Sequence, residues 1–134
     1  MPLFDILPLL AGLAAVTFML THALRQRPLG PEAWIGAALL SAGFAGWSLY
    51  AILTGGPFGF WAEHTRNAWG VQIWFDLLLA GCCALVFMVP DARRLGMRPL
   101  PWVVLVICSG AIGLLAMLAR MLYLKGRTQA ADRV

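Results

Sequence analysis

Charge is scarce in this sequence. Only 12% of its 134 residues are Asp, Glu, Lys or Arg, against about 25% in an ordinary soluble domain. With 61% hydrophobic residues and a mean hydropathy of +0.81, a water-soluble fold is excluded. A chain this short cannot hide so much apolar surface from water. Cysteine is sparse too. Cys82, Cys83 and Cys108 all lie in apolar runs, with no C-x-x-C and no Cys/His cluster at metal-ligand spacing. That argues against a zinc site or a disulfide framework and leaves three thiols acting as small hydrophobes. Neither a metal nor any other cofactor is expected. The basic residues form no stripe and no nucleic-acid motif is present, so nucleic acid is not an expected partner. Nothing matches a nucleophile elbow, a phosphate loop or a haem pair.

What is present is a set of long apolar runs: 3–24, 34–53, 70–89 and 100–124. Each is near the ~20 residues that a helix needs to cross a ~30 Å hydrocarbon layer. They must be helices, because lipid offers no partner for an unpaired backbone group. The expected fold is all-α: a polytopic integral membrane protein, a four-helix transmembrane bundle over residues 1–124 with a polar, frayed tail at 125–134. Arg25-Gln26-Arg27-Pro28-Leu29-Gly30-Pro31, Thr54-Gly55-Gly56-Pro57 and the run from Pro90 to Pro99 punctuate the spans. The first run has no preceding Lys or Arg and contains Asp5; it reads as a retained helix, since a signal peptide has a basic leading region.

Four crossings would put both termini and the 54–69 loop on one side. Arg66, Arg120, Lys125, Arg127 and Arg133 then face Arg25, Arg27, Arg93, Arg94 and Arg98, five against five. Short loops dominate the positive-inside rule, so the two Arg-rich loops are expected to be cytoplasmic. The long loop holds Phe58, Phe60, Trp61 and Trp69 around Glu63-His64-Thr65-Arg66-Asn67. It is expected to form an interfacial aromatic belt, or a short amphipathic segment that lies on the bilayer surface or folds back over the helix ends. Ala42/Gly46 and Ser109/Gly113 are small residues at helix-contact spacing and read as packing positions. Thr17 and Thr21 are expected to bond to their own backbone.

Asp76 is the residue most in need of a reason. A carboxylate at the centre of a spanning helix costs about 2.5–3.5 kcal/mol even on insertion scales unless it is partnered or hydrated. Gln72 lies one turn before it on the same face. If the last span ran antiparallel to the third, Arg120 would come within reach of Asp76, and the two would pair. Tyr50, Glu63, His64, Trp69 and Trp74 gather at the same side by topology. A site is therefore expected with Asp76, Arg120, Tyr50 and His64 as catalytic candidates and Gln72, Trp74, Trp69 and Glu63 as substrate-binding candidates. In such a cavity a protonated Asp76 would act as a general acid, and an ionised one as a base or anchor.

The residues Trp74-Phe75-Asp76-Leu77, Ala92-Arg93-Arg94-Leu95-Gly96-Met97-Arg98 and the run from Gly113 to Leu124 resemble the bacterial membrane family called domain of unknown function 2834. The resemblance covers the last half of the chain. More remotely, the plan is similar to membrane proteins of plant neoxanthin formation and to small fungal membrane terpene cyclases. That likeness implies proton-driven rearrangement of an isoprenoid epoxide with Asp76 as the acid, in a multi-pass protein of the bacterial cytoplasmic (inner) membrane. Two expectations follow with equal standing. One is an enzyme handling an apolar isoprenoid or lipid between the third and fourth spans. The other is a non-enzymatic accessory or scaffold subunit of a larger membrane complex, with membrane lipids and protein partners. A small proton-coupled transporter is a further alternative.

Overall fold

The computed structural model describes residues 3–131, which form six α-helices and no strand. These are α1 (Leu3–Leu24), α2 (Ala33–Gly55), α3 (Gly59–Thr65), α4 (Ala68–Arg94), α5 (Pro99–Ser109) and α6 (Ala111–Ala131). Three of them, over Phe4–Leu24, Ala33–Gly55 and Ala68–Arg94, are long and apolar enough to cross a membrane. At about 1.5 Å per residue each reaches the ~30 Å of a hydrocarbon layer. The chain is an all-α membrane protein.

The ends of α4 show how local chemistry sets the boundaries. Asn67 takes an extended conformation before the helix, and its Oδ1 accepts from the Gly70 amide at 2.9 Å. That satisfies one of the amides left over at a helix start. At the other end Gly96 has φ +74. Its N–H donates to the Arg93 carbonyl at 3.0 Å, and the Met97 N–H to the Ala92 carbonyl at 2.9 Å. This pair of bonds is a Schellman cap, which calls for glycine at the left-handed position. The Arg93-Arg94-Leu95-Gly96-Met97 turn is thus a helix stop.

The expected fourth span, 100–124, is not one helix. α5 has 11 residues, about 16 Å at ~1.5 Å per residue, half of a hydrocarbon layer. The chain then turns at Gly110, whose φ of +58 and ψ of −122 no side-chain-bearing residue adopts readily. α6 folds back against α5 so closely that a Cβ on Gly113 would lie 2.7 Å from the Val106 nitrogen. Gly110 and Gly113 serve this hairpin, while the Ser109 hydroxyl bonds back to the Leu105 carbonyl of its own helix. The polar tail is also not frayed where it is described, since α6 continues to Ala131.

α6 is the hub. It runs antiparallel to α2. Buried Ser41 donates its hydroxyl to the Ile112 carbonyl at 2.9 Å, Trp34 meets Tyr123 with ring centroids 5.4 Å apart, and Gly126 lies against Pro31. Met117 and Met121 form the core with Ala92 of α4, backed by Leu85, Met88, Val89, Leu95, Met97 and Trp102. α1 stands apart. Every residue from Phe4 to Leu24 is exposed, and its approach to the rest is Phe4 against Trp47, centroids 6.4 Å apart. Thr17 and Thr21 donate to the Leu13 and Thr17 carbonyls at 2.8 Å, as expected.

Two ends follow. The first holds the start of α1, the end of α2, α3 and the start of α4. The second holds the α1–α2 and α4–α5 connections and the C-terminal half of α6.

Candidate functional site

The expected site residues divide between these ends. Asp76 lies eight residues into α4, about 12 Å from its start at ~1.5 Å per residue. Arg120 lies at the opposite end, close to the first turn of α2, where its guanidinium covers the Tyr123 ring at 5.6 Å. The expected Asp76–Arg120 pair is therefore absent. The ion pairs of the described residues are Glu63–Arg66, Asp91–Arg94 and Asp91–Lys125. The cause is the reversal at Gly110, which carries α6 back toward the end from which α5 set out.

Helical phase separates a second group. Trp74 packs toward α3, its ring 5.1 Å from that of His64 and 6.0 Å from that of Phe60. Asp76 is two residues on, about 200° around a helix of ~3.6 residues per turn. Asp76 and Gln72 consequently point away from His64 and Trp74, and both are exposed. His64 is occupied locally, with Nδ1 donating to the Phe60 carbonyl at 2.6 Å.

Of the alternatives open for the aromatic loop, α3 takes the form of a short helix packed back on α4. It sits so tightly on α4 that a Cβ at Gly70 would lie 2.6 Å from the Glu63 carbonyl oxygen and 2.9 Å from that of His64. Glu63 and Arg66 pair at 3.4 Å and face a cleft of about 870 Å³ lined by Phe4, Trp47, Tyr50, Ala51, Thr54, Glu63 and Arg66. Tyr50 and Glu63 were expected at a site. Phe4, Trp47 and Arg66 were not, although Trp47 and Tyr50 are three residues apart on one helix face and their rings stand 5.6 Å apart. A smaller cleft of about 260 Å³ takes Trp69 with Glu63, His64 and Ile73.

Chemically, the larger cleft offers aromatic walls, one phenol and one ion pair. It suits an apolar body with a polar end. Among the described residues no group of three His, Cys, Asp or Glu is placed to hold a metal ion, and the three cysteines are free and exposed. No family model matches the chain, and neither a curated protein nor a solved structure matches it.

Proposed function

We propose that this protein is a non-enzymatic subunit of a membrane complex, seated in the bacterial cytoplasmic membrane by three crossings and a re-entrant α5–α6 hairpin. Asp76 carries the reading. It lies on a spanning helix among exposed Ile73, Phe75, Leu77 and Leu79, turned away from His64 and a helix length from Arg120. A carboxyl in that position needs a partner or water, and a polar group on a neighbouring chain supplies one. The uncovered perimeter of α1 supports the same reading. The test is native mass spectrometry of the protein released from membranes in mild detergent. The wild type is expected in an assembly that Asp76→Asn dissociates while the chain stays folded. A monomeric wild type, or an assembly indifferent to Asp76→Asn, would sink the proposal.

The cleft favours a second reading, in which an isoprenoid or other lipid with one polar end is held beside Tyr50, Glu63 and Arg66. In that case Tyr50→Phe and Glu63→Gln alter the extracted-lipid profile by mass spectrometry, and Asp76→Asn does not. Unchanged profiles in both cleft variants would remove it.

A further inference from the structure

The second end of the molecule collects positive charge to a degree that the sequence order conceals. Of the nine described Lys and Arg residues, eight lie there: Arg25, Arg27, Arg93, Arg94, Arg98, Arg120, Lys125 and Arg127. Arg66 alone is at the first end. The described acidic residues of the second end are Glu32 and Asp91, and Asp91 is already shared between Arg94 and Lys125.

Within this collar two cations converge on one ring. The Arg120 guanidinium lies 5.6 Å and that of Arg127 6.0 Å from the Tyr123 centroid, while Trp34 meets the same ring edge-on. Neither arginine forms an ion pair among the described residues, and both are exposed. Contact with a ring face leaves the in-plane N–H donors free, and a guanidinium presents those donors in a fork that matches phosphate oxygens. Trp34 in the first turn of the spanning helix α2 marks headgroup level, and Tyr123 of α6 meets it there. We infer that Arg120, Arg127 and Tyr123 hold the phosphate of an anionic phospholipid, and that the surrounding collar docks on the anionic leaflet.

This inference needs the membrane setting but not the subunit proposal. The test uses the full chain in a neutral detergent, titrated with phosphatidylglycerol, phosphatidylcholine or inorganic phosphate and read by native mass spectrometry of bound adducts. Phosphatidylglycerol is expected to bind roughly tenfold or more tightly than phosphatidylcholine, from two cations at an anionic surface. The preference should fall about tenfold in the R120Q/R127Q double variant, leaving the weaker contribution of the remaining collar, and persist in R66Q. On the wild type alone, raising the salt should erode it, because exposed charges are screened. Equal binding of the two lipids, a preference undiminished by the double substitution or insensitive to salt, or displacement of the lipid by inorganic phosphate beyond that by chloride at equal ionic strength would each overturn the inference. Asp76→Asn leaves this binding unchanged, so the result is independent of the assembly test.

Discussion

Lys125 Nζ lies 3.1 Å from Asp91 Oδ2, across 34 residues of sequence. The contact ties the C-terminal part of α6 to the C-terminal end of α4, so both leave the core at the same end. A straight fourth crossing would instead carry Lys125 to the end where α4 begins.

That difference can be read by labelling. With Cys82, Cys83 and Cys108 replaced, single cysteines are placed at Ala62 on α3 and at Ala130 on α6, both exposed. A membrane-impermeant maleimide applied to intact cells is expected to modify A62C and to reach A130C only after permeabilisation. The basic end then faces the cytoplasm, as the bias of Lys and Arg requires. Labelling of both from outside would restore the fourth crossing and refute the hairpin.

The pair itself holds position more than it stabilises. The Asp91 and Lys125 side chains are 38% and 46% exposed, and exposed ion pairs are worth about 0–1 kcal/mol. A double-mutant cycle with Asp91→Asn and Lys125→Gln is expected to return a coupling below about 1 kcal/mol that shrinks in high salt. Thermal unfolding in detergent measures it. A larger, salt-independent coupling would mean that the contact is buried in the membrane-bound protein.

Much of the frame was legible in the sequence, because length and apolarity are local properties. The first three spans and the back-bonded threonines follow from residues close in the chain, whereas the third span was expected to end at Val89 and α4 instead runs through Pro90 to Arg94. The reversal at Gly110 was not legible. Ser109, Gly110 and Gly113 fit a helix–helix contact as well as a hairpin, and hydropathy stays high through the turn. The Asp76–Arg120 pair failed with it, since its only warrant was the direction of the last helix. Grouping Trp74 with Asp76 failed for a different reason. Membrane depth put them together, and the 3.6-residue period put them on opposite faces.

Gly113 is expected to be intolerant of any side chain. Its Cβ would meet backbone, the Val106 nitrogen at 2.7 Å and the Leu105 carbonyl carbon at 2.8 Å, and backbone cannot step aside as a flexible side chain can. Gly113→Ala should destabilise by about 1–3 kcal/mol, the usual range for overpacking. Gly43, with nothing within 4 Å of its Cβ position, is the control. Gly43→Ala is expected to be neutral or to stabilise by up to about 1 kcal/mol through helix propensity. Thermal unfolding of both in the same detergent separates the cases; equal shifts would show that α5 and α6 do not pack this closely.

Ser41 reports on the same hairpin from the other side. Its hydroxyl reaches the Ile112 carbonyl, in the first turn of α6 next to the bend, and the residue is only 8% exposed. Losing that bond by Ser41→Ala should cost about 0.6 kcal/mol and no more than ~1.7, the range for interhelical hydrogen bonds in membranes. Because Gly113 faces α5 while Ile112 meets α2, the two substitutions strain different contacts of one turn of α6. The Ser41→Ala and Gly113→Ala effects are therefore expected to be non-additive by about 0.5 kcal/mol or more, as for residues coupled through a shared backbone segment. Unfolding of the double variant gives the answer. Strict additivity would mean that α2 and α5 grip α6 independently, and that Gly110 acts as a loose joint rather than a fixed bend.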